Sequence, residues 1–219
     1  MKKIDFSATY GPWYFPTSRD VTVVTVPAMN FAMVDGVGDP NHAAAFREAL
    51  EALFAVSYTL RFSLKKERIA DYRVGPLEAL WGEEGGFRPG SPEGWRWTAM
   101  ILQPDVVSPA RFTAAVEEVR RKRDPPALAR LRLARFHEGS AVQVLHVGPY
   151  SAEAPTIERL HAFAREHGYQ LRGRHHEIYL GDPRRSAPAR LRTVLRQPIV
   201  RRTATSPAGA RNRPRSAAP

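Results

Sequence analysis

The chain has 219 residues, 43% of them hydrophobic, and a formal net charge of +11, which is an ordinary size and composition for a globular protein with a real core. It contains no cysteine, so disulfide frameworks and thiolate metal sites are excluded. No apolar run is long enough to span a bilayer, and the two N-terminal lysines are not followed by the apolar segment of a secretory signal. We therefore expect a cytoplasmic protein with no membrane partner.

Nearly half of the positive net charge lies in the C-terminal segment. Residues 200–219 contain five arginines, no acidic residue and no aromatic one, and they are rich in Pro and Ala. This composition predicts a disordered basic tail in preference to a nucleic-acid-binding arm. Nucleic acid is therefore an unlikely partner.

The first half of the folded part alternates strand and helix patterns. Residues 39–56 place apolar side chains at helical spacing behind Asn41, which is the expected N-cap. Gly75 and Pro76 indicate a bulge or an edge position, and residues 83–94 are predicted to form a loop. Strand patterns, with β-branched residues or apolar alternation, occur at residues 20–28, 30–38, 57–64, 70–81 and 95–104.

The second half repeats this order. Residues 108–123 predict a helix with Ser108 as N-cap and Pro109 at the first helical position, and residues 154–168 predict another that ends at Gly168. Between them, residues 124–131 form a short connector. Strands are predicted at residues 132–139, 140–148, 174–181 and 189–199, the first two joined tightly at Gly139.

Laid side by side, the two halves predict an α+β fold built by duplication. Each half reads strand, helix, strand, strand, over about residues 20–104 and 132–199 of a ligand-binding domain at residues 1–199. The duplication predicts a pseudo-two-fold arrangement with a central cleft at the seam, where ligands commonly bind. Glu78 and Glu177 occupy similar stations in the two halves, so each half is expected to contribute one carboxylate to that cleft.

The segment at residues 175–185 reads HHEIYLGDPRR. Strand alternation places Glu177 beside Tyr179 on one face and Ile178 with Leu180 on the other. An isolated strand glutamate is most simply a solvent-facing residue in a surface salt bridge. His175 and His176 fall on opposite faces and cannot readily grip one metal ion, so no metal site and no cofactor are expected.

Four segments carry a resemblance to a known family. They are DYRVGPLEALW, WRWTAMILQPD, VGPYSAEAPTIERLHAF and, most specifically, HHEIYLGDPRRSAPARLRTVLRQP. These segments resemble the GyrI-like small-molecule-binding domain, which is found in gyrase-inhibitory proteins and in the ligand domains of multidrug-sensing transcription activators. The similarity is greatest to a stand-alone subfamily of this length and covers roughly Met1 to Val200.

The resemblance implies a pseudo-two-fold domain with an acidic residue and aromatic walls in its ligand cleft. Some stand-alone members hydrolyse the cyclopropane ring of DNA-alkylating natural products inside an aromatic cage. Carried over to this chain, the acid is Glu177 with Tyr179 beside it, and Glu78 is the second candidate. The ligand-contacting residues implied are Trp81, Trp95, Trp97, Tyr72, Tyr150 and His175.

Three functions follow from such a cleft. In a detoxifying hydrolase, Glu177 would orient or deprotonate the attacking water, and Tyr179 would hydrogen-bond the carboxylate or the substrate carbonyl. In a binder without turnover, the same acid and aromatic rings would sequester flat aromatic or cationic drugs through charge and cation–π attraction. A regulatory or gyrase-directed interaction protein is the third possibility, although neither end of the chain has an evident helix-turn-helix segment.

Overall fold

Six long or central strands pair into one antiparallel, barrel-like sheet in the computed structural model, which describes residues 1–82 and 94–202. Residues 83–93 of the predicted loop and 203–219 of the predicted tail lie outside the described residues. The strands are β1 Lys2–Ile4, β2 Thr22–Val37, β3 Ala70–Tyr72, β4 Leu77–Trp81, β5 Arg96–Gln103, β6 Arg132–Val147, β7 Tyr169–Leu171, β8 His175–Tyr179 and β9 Arg192–Arg201. The helices are α1 Phe6–Tyr14, α2 Ala44–Lys66, α3 Pro109–Lys122 and α4 Ala154–Glu166.

The strand order confirms the α+β duplication. In each unit the last strand lies between the long first strand and a short strand, in the order β2–β5–β4 and β6–β9–β8. The two units then join twice, through the antiparallel pairs β2–β6 and β4–β8, which closes the ring of strands. Helices α2 and α4 each follow the first strand of their unit and cover the outer face of the sheet.

In two places, two strands that were predicted separately form one long strand in the structure. Residues 20–28 and 30–38 merge into β2, because its ladder with β6 skips only Pro27, which has no N–H to donate. Residues 132–139 and 140–148 merge into β6. The expected tight turn at Gly139 is wrong, since its φ of +72° kinks the strand without reversing it.

The strand predicted at residues 57–64 is also wrong, because α2 continues to Lys66. The apparent alternation arises from two helical stripes. Leu60 and Leu64 are buried against the core, whereas Tyr58 and Phe62 stack at 6.2 Å on the exposed face of the helix. Asn41 does not cap this helix. Its backbone N–H and side chain both donate to Asp39 Oδ1 in the preceding turn.

The caps of the other helices follow local sequence rules. Ser108 accepts a hydrogen bond from the backbone of Arg111 and caps α3, with Pro109 at the first helical position, as predicted. Gly168 follows α4 with a φ of +76°, which favours glycine. The helix α1, capped by Asp5, had no counterpart in the sequence prediction. No helix in residues 1–82 or 94–202 is long and apolar enough to cross a membrane.

Strand pleating divides the core between the two faces of the closed sheet. One face forms the barrel interior and buries Phe31, Met100 and Ile178, with Tyr14 of α1 packed against them. The outer face is covered by α2 over β2 and β5, and by α4 over β6 and β9. The pair β4–β8 is therefore the seam between the two helix-covered parts of the outer face.

Candidate functional site

Glu177 lies at the centre of this seam. In the β4–β8 ladder it is opposite Ala79, and His175 and Tyr179 share its face of β8. Ile178 points into the barrel interior and Leu180 packs against the same interior cluster, so the predicted facing of this segment is confirmed. The carboxyl side chain of Glu177 is only 15% exposed, which excludes the alternative of a solvent-facing strand glutamate.

A hydrogen-bond relay holds the Glu177 carboxylate. Tyr179 Oη donates to Glu177 Oε2 at 2.6 Å, and Trp81 Nε1 donates to Tyr179 Oη at 3.1 Å. His175 Nε2 lies 3.5 Å from the other carboxylate oxygen. Burial, and next the negative charge of Glu177, raise the pKa of Tyr179 well above its usual range. The phenol is therefore a fixed donor at neutral pH.

Aromatic rings surround this relay on both sides. Trp81 packs edge-on against Trp95 at 6.1 Å, and Phe46 of α2 stacks on Trp81 at 5.9 Å. From the side of α4, Tyr150 packs edge-on against Tyr179 at 5.5 Å. Among the predicted contact residues, Trp81, Trp95 and Tyr150 are thus brought to the seam, and Phe46 joins them without having been predicted.

Two predicted cage residues occupy other places. Trp97 is opposite Trp81 in the β4–β5 ladder, on the side away from β8. It is 1% exposed, donates to Gly38 O at 3.2 Å and packs edge-on against Phe46 at 5.0 Å, so it is a core residue. Tyr72 pairs with Ile4 in the small β1–β3 sheet and lines a concavity there with Phe6. Local sequence similarity could not show on which side Tyr72 lies, because that depends on the pairing of β3 with the N-terminal strand β1.

Glu78 does not share a cleft with Glu177, which corrects the expectation of one carboxylate from each half. In the β4–β8 ladder Glu78 is opposite Ile178, one residue out of step with Glu177, so its side chain points into the barrel interior. It is 0% exposed and accepts a hydrogen bond from Tyr14 Oη at 2.6 Å.

The barrel interior holds a charge network of four ionisable side chains, Glu78, Glu138, His176 and Arg196. His176 bridges the two carboxylates, with Nε2 3.1 Å from Glu78 Oε2 and Nδ1 2.9 Å from Glu138 Oε1. Arg196 donates to Glu138 Oε2 at 2.7 Å and to the backbone oxygen of Trp13. All four side chains are at most 2% exposed.

Pairing decides the charge state of this interior network. Burial opposes ionisation of Glu138, but His176 and Arg196 outweigh it and lower the pKa of Glu138 to about 2. Burial also disfavours the charged form of His176, yet the two carboxylates raise its pKa. The buried carboxylate of Glu138 is therefore compensated by its two basic partners, His176 and Arg196.

Glu153 is a second buried acid on the outer face, and the sequence reasoning missed it. It immediately precedes α4, is 5% exposed, and belongs to the same turn as Tyr150. Burial, and next the charge of Glu177, raise its pKa to about 8, against an opposing effect of Thr193. The sequence did contain a signal for it, since Glu153 directly precedes the Ala-Pro pair that starts the predicted helix.

No cluster of three or more His, Asp or Glu in residues 1–82 and 94–202 is arranged to hold a metal ion. His175 and His176 lie on opposite faces of β8, as strand alternation predicts. The seam itself holds two carboxyl groups, the phenol of Tyr179, the imidazole of His175 and aromatic rings.

The fold and the seam define a small-molecule-binding domain built from two pseudo-repeated units. The model of the GyrI-like small molecule binding domain family matches residues 19–199, and the chain belongs to this family. No curated protein matches the chain significantly.

Two solved structures from Listeria innocua share the fold over nearly the whole chain. One is an uncharacterized conserved protein, 38% identical with a TM-score of 0.83, covering 90% of this chain and 100% of its own. The other is a hydrolase encoded by lin2189, 37% identical with a TM-score of 0.82, covering 91% and 100%. The C-terminal domain of EcmrR, at 10% identity and a TM-score of 0.52, is similar in fold alone.

Proposed function

We propose that this protein binds flat aromatic small molecules at the seam and detoxifies cyclopropane-bearing DNA-alkylating compounds by hydrolytic ring opening. The observation that carries the proposal is the relay from Trp81 through Tyr179 to Glu177, set between aromatic rings on the outer face. Support for hydrolysis comes from the similar Listeria innocua structures, two of which are described as hydrolases.

The proposed reaction needs little from the protein beyond positioning and proton transfer. In a cyclopropane fused to a conjugated dienone, addition of water opens the strained ring and restores aromaticity. Aromatic side chains stabilise the bound ring system by burying apolar area, worth about 25 cal/mol per Å², and by edge or offset contacts of about 0.5–1.5 kcal/mol each. We assign these contacts to Trp81, Trp95 and Tyr150, which lie around the relay.

Glu177 is the base of the proposed mechanism. Tyr179 donates to one of its oxygens and so fixes the orientation of the carboxylate. The other oxygen, 3.5 Å from His175 Nε2, is the atom we assign to orienting and deprotonating the attacking water. Tyr179 is a positioning residue in this scheme, since its proton is engaged by Glu177.

The test is mass spectrometry of a cyclopropane-bearing alkylator incubated with the purified protein. We expect many equivalents of a water-added product per protein, and a rate lowered about 100-fold or more in Glu177→Gln. Glu158→Gln, an exposed glutamate on α4, is the matched control and should retain the wild-type rate. Equal rates for wild type and Glu177→Gln would refute the assignment of the base.

A binder that sequesters flat cations is the second candidate, and the acid-plus-aromatic composition of the seam favours it. This candidate predicts that the alkylator is recovered unchanged, with no hydrolysis by either the wild type or Glu177→Gln. Calorimetric titration with a flat aromatic cation should then show tight binding that Glu177→Gln weakens. This candidate would be excluded if Glu177→Gln kept its affinity for the cation and the wild-type protein hydrolysed the alkylator.

A further inference from the structure

Glu153 has the geometry of a functional group and not that of a surface residue. Its backbone N–H donates to Tyr150 O at 3.1 Å, which folds it back from the start of α4 toward the sheet. The side chain is 5% exposed, and among the described residues its Oε1 has no hydrogen-bond partner. A buried carboxyl oxygen without a partner is costly unless it serves a bound molecule.

The groups that face Glu153 come from three elements. β8 presents Glu177 and Tyr179, β9 presents the Thr193 hydroxyl, and the turn before α4 presents Tyr150. The charge of Asp182, after β8, also raises the pKa of Tyr150. The ionisable groups of this set are acids or phenols, so they disfavour a second negative charge beside Glu177.

We propose that Glu153 is the proton donor of the seam, acting opposite Glu177 as the base. This inference rests on the proposed hydrolysis at the same site. Two carboxyl groups in unequal surroundings can divide acid and base roles between them. Here Tyr179 donates to Glu177, whereas Glu153 is buried and its Oε1 has no hydrogen-bond partner among the described residues. The Thr193 hydroxyl only partly offsets the effect of burial on the pKa of Glu153.

The other candidate donors at the seam are weaker acids. The proton of Tyr179 is engaged by Glu177, and the pKa of that phenol is far above neutrality. Burial, and next the charge of Glu153, raise the pKa of Tyr150 to about 12. A donor works best when its pKa lies near the working pH, and the pKa of about 8 at Glu153 meets this condition.

The proton balance of the reaction requires such a donor. Water attacks the cyclopropane carbon, a carbon–oxygen bond forms, and the strained carbon–carbon bond breaks with its electron pair moving to the dienone oxygen. Glu177 takes the proton released by the water. Glu153 gives its proton to the new phenolate oxygen, so the product leaves as a neutral phenol, and proton exchange between the two carboxyl groups through solvent restores the starting state.

The experiment combines rates with a direct titration of the free protein. Glu153→Gln keeps the shape of a protonated carboxyl but has no proton to give, and Glu158→Gln is the control on the same helix. With the cyclopropane-bearing alkylator, the wild-type rate should fall as pH rises above about 8, where Glu153 ionises. Glu153→Gln should lower kcat about 100-fold with little change in KM, and this falling limb should disappear.

The titration uses protein labelled with carbon-13 at the glutamate carboxyl carbon, the Glu153 signal being identified by its loss in Glu153→Gln. A midpoint near 8 that drops in Glu177→Gln supports the proposal. A midpoint in the ordinary glutamate range overturns it whether or not the protein hydrolyses the compound. Normal turnover with an unchanged pH profile in Glu153→Gln also overturns it and leaves the proposed function standing. No turnover by the wild type rejects the proposed function and the donor role together, whatever the midpoint.

Discussion

Replacing Glu138 by glutamine should destabilise the protein through the interior charge network. The variant keeps the shape of the side chain and an acceptor for Arg196, but it removes the negative charge that His176 and Arg196 share. The pKa of Glu138 is lowered from 4.5 to about 2, and each pKa unit corresponds to about 1.4 kcal/mol, so the charge stabilises the fold by about 3 kcal/mol. Removing one partner of a buried ion pair generally lowers the free energy of unfolding by a similar amount, about 3–5 kcal/mol.

Urea unfolding at pH 6, followed by tryptophan fluorescence, measures this loss directly. The free energy of unfolding of Glu138→Gln should fall by about 3 kcal/mol with an unchanged m-value. Glu117→Gln is the matched control, because Glu117 pairs with Arg120 on the exposed face of α3 and should change little. A loss below about 1 kcal/mol in Glu138→Gln would show that the network does not stabilise the barrel.

The same network predicts a stability optimum in mildly acidic solution. The pKa of Glu138 is depressed in the folded state, so its contribution is complete above about 4.5 and is lost as pH falls toward about 2. The pKa of His176 is raised, so its contribution is complete below its ordinary value of 6.5 and is lost as pH rises through the raised value. In Glu138→Gln the loss of stability in acid should be smaller than in the wild type.

Three further changes test other parts of the structure. Gly36→Ala should destabilise by about 1–3 kcal/mol, because an added Cβ would lie 2.1 Å from Trp97 Cη2, and a wild-type melting temperature would contradict this. Tyr14→Phe should cost about 1–3 kcal/mol in urea unfolding by leaving Glu78 Oε1 without its donor, and a neutral result would refute that role. The pKa of Glu153 is raised in the folded state, so the wild type should become less stable as pH rises from about 4.5 through about 8. If the melting temperatures of wild type and Glu153→Gln change equally with pH over this range, Glu153 is not buried as a neutral acid.

What the sequence predicted correctly is governed by local rules. Alternation along residues 175–180 fixed which side chains of β8 share a face, and Ser108 with Pro109 marked the start of α3. The order of strands and helices in the two halves was enough to predict the duplicated α+β fold. These features depend on the chain's own period or on neighbouring residues, so one sequence contains the information.

The errors come from contacts between distant segments. Residues 57–64 alternate like a strand, but only packing against the sheet shows that Leu60 and Leu64 form one stripe of a long helix. The facing of Glu78 depends on the register of β4 against β8, about a hundred residues away, and a shift of one residue reverses it. Similar positions in two sequence repeats therefore did not mean similar positions in space.

The seam itself explains why its second acid could not come from the equivalent strand. Residues directly opposite in an antiparallel pair have Cβ atoms about 5 Å apart, and like charges there repel. The residue opposite Glu177 is Ala79, which adds no charge. Glu153 reaches the same carboxylate from the turn before α4, where burial favours its protonated form. A scaffold with two similar halves thus gains an asymmetric pair of acids, because one comes from the sheet and the other from the helix that covers it.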